Sequence, residues 1–183
     1  MNVLLYGNEP FLINKSLQEL LKNRVGEVSQ MNTIYYDFTS PSFTMTSFLE
    51  EADTISFFSD HKVMILQNCV FLTRAYKDKE KDKNKNDSDL QKLVNYLLKP
   101  HDQTTLIMMY DDDNLDTIKN LYKRIKETCE VIHINKLSPE QFRHFLQDLL
   151  QERQLKVTSD AFNELIKRLD DNMSIAIHET DKL

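Results

Sequence analysis

Glycine is nearly absent: Gly7 and Gly26 are the only two in 183 residues. Such scarcity excludes the glycine-rich loops that turn consecutive backbone N–H groups onto a phosphate. Cysteine is equally sparse. Cys69 and Cys129 each sit at or beside a strand-like run, and read as buried free thiols in preference to a disulfide framework or a zinc site. No apolar run approaches the roughly 20 residues that span a bilayer. The start also lacks a basic segment followed by an apolar signal core, so the expected location is cytoplasmic, with no membrane partner. Basic residues are outnumbered, 23 Lys and Arg against 29 Asp and Glu, for a formal net charge of -6. That balance argues against an extended basic face for non-specific duplex binding and leaves only a local patch as an electrostatic route to nucleic acid.

What is present reads as a globular protein, with 40% hydrophobic and 28% charged residues and a length suited to one medium domain plus a small one. The chain opens Val3-Leu4-Leu5-Tyr6-Gly7-Asn8-Glu9-Pro10-Phe11-Leu12-Ile13-Asn14-Lys15-Ser16, which has the strand, turn and helix of a P-loop domain. A working Walker A loop is G-x-x-x-x-G-K-[ST]. Here Asn14 stands before Lys15-Ser16, and Lys15 falls eight positions after Gly7, where the motif requires six. Phe11, Leu12 and Ile13 fill the positions at which the backbone would wrap a ligand, so they are expected to pack the helix against a sheet. Gly7, Asn14, Lys15 and Ser16 thus form a degenerate P-loop that is not expected to bind nucleotide, and no cofactor is expected.

Strands and helices then alternate. Thr33 to Phe38, Lys62 to Leu66, Thr104 to Tyr110 and Glu130 to Ile134 are strand-like. Phe43 to Asp53, the Leu90–Leu98 stripe and the Leu115–Ile125 stripe have helical spacing. This alternation predicts a mostly parallel α/β sheet with helices on both faces. Between Thr73 and Ser88, closely mixed Lys, Asp and Asn predict a mobile surface loop, since Asp78, Glu80, Asp82 and Asp87 offset much of the charge that a basic nucleic-acid tail would need. From residue 138 the pattern is helical. Ser138-Pro139-Glu140-Gln141 is a capping box with proline at the first helical position, Thr158 or Ser159 can cap a second helix, and Asn172 starts a third with Ile175, Ile177 and Leu183 available to pack. The expected domains are 1–137 and a three-helix lid, 138–183. The ending Asp181-Lys182-Leu183 carries no helix-stop signal and suggests a fragment of a longer chain.

Three constellations bear on chemistry. Asp111-Asp112-Asp113 follows an apolar strand, where carboxylates can hold Mg²⁺; without a phosphate cradle, capping the next helix and facing water is the expected role. His61, His101, His133, His144 and His178 show neither zinc-site spacing nor a triad motif, so neither catalytic nor metal residues are predicted. Phe57-Phe58 follows Ile55 and precedes polar Ser59-Asp60-His61. Exposed adjacent aromatics would anchor in a hydrophobic pocket of another protein, while two core rings would be an equally good reading of the residues alone.

Three segments together resemble the delta subunit family of bacterial DNA polymerase III, the clamp-opening member of the clamp loader. They are Leu5-Tyr6-Gly7-Asn8-Glu9-Pro10-Phe11-Leu12, Phe57-Phe58-Ser59-Asp60-His61-Lys62-Val63, and Asp170-Asp171-Asn172 with Glu179-Thr180-Asp181-Lys182-Leu183. The resemblance implies an AAA+-like domain that binds no nucleotide, a helical lid, and a C-terminal collar that this chain lacks. It implies that Phe57 and Phe58, with Ile55 beside them, bind the sliding clamp (the beta subunit) and help open it for loading onto primed DNA. Phenylalanine replaces the commoner leucine at position 57, and Thr180 stands where leucine is usual. The implied partners of the full-length protein are the clamp-loader ATPase subunits, the delta-prime subunit and, through the assembly, primer-template DNA. The chain itself would carry no catalytic activity within the DNA-directed DNA polymerase holoenzyme. Two alternatives are a small P-loop ATPase or phosphotransferase and a generic DNA-binding or structural module.

Overall fold

The computed structural model describes residues 1–25, 32–55, 60–76 and 83–182, and the chain divides into two compact units, Met1–Ile134 and Asn135–Leu183. The first unit contains β1 (Asn2–Gly7), α1 (Pro10–Leu20), β2 (Thr33–Asp37), α2 (Met45–Asp53), β3 (Lys62–Gln67), α3 (Lys83–Leu98), β4 (Thr104–Tyr110), α4 (Asn120–Thr128) and β5 (Glu130–Ile134). A π-helical turn, Leu21–Val25, continues α1, and a 3₁₀ turn, Val70–Leu72, follows β3. Among the described residues the five strands pair in parallel, in the order β2-β3-β4-β1-β5, and an isolated antiparallel bridge joins Thr73 to Leu115.

The apolar runs VLLY, VMIL and LIMM are continuous because both faces of the sheet are covered. Val3, Leu5, Val63, Ile65, Ile107 and Met109 pack on one face with Ile13, Leu17 and Leu20 of α1. Their alternating neighbours Leu4, Met64, Leu66, Leu106 and Met108 pack on the other face with Phe48 of α2, Leu93 and Leu97 of α3, and Ile125 of α4. The helices that follow β1 and β4 therefore lie on opposite faces, and the chain crosses from β4 over β1 to β5. That reversal is the switch point at which open α/β sheets form a crevice beyond the carboxyl ends of their strands.

The charged stretch departs from expectation. The helix leading to β4 begins at Lys83, well inside the segment read as loop, and residues 77–82 lie outside those described. Once the Leu93–Leu97 stripe is docked, each further residue adds one hydrogen bond to an existing helix, so propagation into polar sequence costs little.

The second unit is helical: α5 (Pro139–Glu152), α6 (Ser159–Leu169) and α7 (Met173–Thr180). The capping box is formed, with Gln141 N donating to Ser138 Oγ (3.2 Å) and Ser138 N to Gln141 Oε1 (2.8 Å). Thr158, not Ser159, caps α6, and Asn172 caps α7. Phe142, Leu146, Phe162, Leu169 and Met173 are buried. In α7, Met173, Ala176 and Thr180 are buried and Ile177 is half-buried, whereas Ile175, expected to pack, is exposed, and Leu183 lies outside the described residues. Arg153 ties the end of α5 to that of α7, donating to Ile177 O (2.8 Å) and the Thr180 hydroxyl and pairing with Asp181 (2.6 Å).

Candidate partner-docking site and the degenerate phosphate loop

At the crevice, β1 ends at Gly7 and α1 starts at Pro10, so Asn8 and Glu9 are the whole connection. A Walker A loop needs a longer excursion to wrap its backbone around phosphates. Asn14 and Lys15 are exposed in the body of α1 and Ser16 is half-buried. Glu9, the N-cap, is buried at 6% exposure. It thus sets an acidic side chain at the helix terminus that would otherwise favour an anion. Gly7 has a structural duty of its own. Its φ is +156°, and a Cβ there would stand 1.8 Å from Ile134 O.

The carboxyl ends of β1, β4 and β5 are joined by side chains. Tyr6 stacks on His133 with ring centroids 4.4 Å apart and 9° between planes, and His133 Nε2 lies 2.7 Å from Asp113 Oδ1. Burial first, then the hydrogen bond to Tyr122, pushes the Tyr6 hydroxyl up to about 12. The Asp111–Asp113 run caps no helix, contrary to expectation. Asp112 accepts from the Asp113 and Asn114 nitrogens, Asp113 meets His133, and Lys119 occupies the N-cap of α4. Among the described residues, no three His, Cys, Asp or Glu side chains gather as a metal site requires.

Helix α2 is capped at its start by Thr44 Oγ1, which accepts from Ser47 N (3.2 Å). Beyond its end, Ile55 is 63% exposed. Phe57 and Phe58 lie outside the described residues. The chain returns at Asp60. His61 Nε2 is 2.7 Å from Thr105 Oγ1, and burial pulls its imidazole below the ordinary value. Lys62 opens β3 and is buried, its side chain 5% exposed. Its ammonium donates to Thr54 O (2.9 Å), Thr54 Oγ1 (3.0 Å) and the Glu51 carbonyl, and lies 3.3 Å from the Glu51 carboxylate. In the sequence Lys62 stands only as the first residue of a strand-like run, with no role assigned to its ammonium. Its one signal was its place directly before a fully apolar run.

A model of the DNA polymerase III delta subunit family matches residues 3–135. The chain belongs to that family. It is 23% identical over 180 residues to the DNA polymerase III subunit delta of Bacillus subtilis, covering 98% of this chain and 50% of the relative. The solved Bacillus subtilis DNA clamp loader delta protein superposes with a TM-score of 0.67 at 22% identity, covering 99% of this chain and 52% of that one. A DNA polymerase III gamma subunit-related protein from Thermotoga maritima gives a TM-score of 0.54 at 12% identity, with 97% and 52% covered. These likenesses establish an AAA+-like α/β fold followed by a three-helix segment. The chain spans about half the length of the delta relatives it matches. Among the described residues no helix is long and apolar enough to cross a membrane.

Proposed function

We propose that this chain is the clamp-engaging part of a delta subunit, which binds the sliding clamp through Ile55, Phe57 and Phe58 and biases it towards an open ring. Family membership carries the proposal. An exposed isoleucine just past the end of a well-anchored helix, two positions before the first of the two aromatics, supports the choice of segment. The mechanism needs no bond chemistry. A segment that binds the open clamp more tightly than the closed one shifts the equilibrium by that difference in free energy.

Nucleotide has no role at this subunit in the proposal. The two-residue β1–α1 turn, the buried Glu9 and the exposed Lys15 all favour a crevice held together by protein groups. ATP hydrolysis then belongs to partner subunits, with the delta-prime subunit and primer-template DNA engaged through the full assembly. A small phosphotransferase would instead show saturable calorimetric heat with ATP and Mg²⁺.

The test is titration of the chain onto immobilised clamp from the same organism. Truncating a buried aromatic anchor costs about 2 kcal/mol or more, so F57A/F58A should lose more than tenfold in affinity with its circular dichroism unchanged. Undiminished binding would place the contact elsewhere.

A further inference from the structure

We infer that Lys62 is a positioning residue for the clamp-docking segment: its buried ammonium fastens the segment's exit at β3 to its entry at the end of α2. The inference rests on the docking assignment proposed above.

The last carbonyls of a helix have no partners within it and require donors from elsewhere. Thr54 Oγ1 donates to Glu51 O (2.8 Å) and accepts from Lys62, which also serves Thr54 O and Glu51 O. A cation at this terminus also suits the helix dipole. The two ends of the segment, eight positions apart in sequence, are thereby bonded directly to one another, and His61 fixes the exit a second time through Thr105. An apolar side chain would fill the same site without the desolvation that burying an ammonium requires. It would make none of these bonds. What the lysine adds is a fixed base for Ile55 and the residues after it. A docking segment held at both ends loses less conformational freedom on binding, which strengthens affinity without adding a contact.

The experiment compares clamp binding by the unsubstituted chain, K62M, T54V and T44A, each first checked for folding by circular dichroism. Thr44→Ala removes the cap at the far end of the same helix and serves as the control for general loosening. The expected pattern is affinity about tenfold weaker for K62M with unchanged stoichiometry, about threefold weaker for T54V, and within twofold of the unsubstituted chain for T44A. If K62M fails to fold, T54V decides. Unaltered affinity in the folded Lys62 and Thr54 variants would overturn the inference, as would a T44A loss equal to theirs. No binding by the unsubstituted chain would instead overturn the docking assignment, and this inference with it.

Discussion

Replacing Gly7 by alanine tests whether this glycine is kept for packing. The added Cβ would lie 1.8 Å from Ile134 O, 2.7 Å from its carbonyl carbon and 3.0 Å from its Cα. Relief requires the end of β1 or β5 to retreat on the order of 1.5 Å to reach ordinary contact distance. That movement breaks the Asn8 N to Ile134 O hydrogen bond, 3.3 Å long, at a net cost of about 1 kcal/mol. A φ of +156° adds roughly 1–3 kcal/mol for a residue with a side chain. Together these make about 2–4 kcal/mol before any loss of Tyr6–His133 stacking, against a total stability of roughly 5–15 kcal/mol. At about 2–4 °C per kcal/mol for a chain of this length, G7A should melt some 5–15 °C lower by circular dichroism. Added ATP should restore none of the loss. A melting temperature within 2 °C of the unsubstituted protein would refute the packing argument, and recovery with ATP would return Gly7 to a phosphate-binding role.

Three further outcomes are expected. Gln154 holds φ +57° just past α5, so Q154G should raise stability by roughly 0.5–1 kcal/mol, read from urea unfolding. Ser138→Ala removes the capping-box acceptor of α5 and should cost about 1 kcal/mol in the same assay. His61 is pulled below its ordinary 6.5 by burial, so the unfolded chain takes up its proton first and stability falls as pH drops from about 7 through 6.5. Thermal melts of His61→Asn across pH 7.5 to 5 should show a shallower fall than the unsubstituted chain; identical slopes would remove His61 from the pH response.

The three central strands, β1, β3 and β4, were legible because their side chains are buried on both faces, which makes Leu4-Leu5, Met64-Ile65 and Ile107-Met108 apolar without interruption. The starts of α5 and α7 were legible because Ser138 and Asn172 cap them through side-chain bonds set by local spacing. Contacts set by register were not. Tyr6 faces His133 because β1 pairs with β5 in parallel, and no local pattern reports a neighbour more than 120 positions away. Nor could α3 be followed back to Lys83, because that part of the helix carries no apolar stripe. The burial of Lys62 is the clearest case. Its ammonium is buried only because the end of α2 brings carbonyls to it, an arrangement that needs both elements in place.

In the proposed mechanism, clamp binding drives opening with no nucleotide involved. This is tested most directly by measuring the release of the sliding clamp from nicked circular DNA in the presence of this chain and the absence of ATP. Release should be faster, saturate with chain concentration, be abolished in F57A/F58A and be unaltered by added ATP. Release at the clamp's spontaneous rate, or acceleration only when ATP is supplied, would contradict that mechanism.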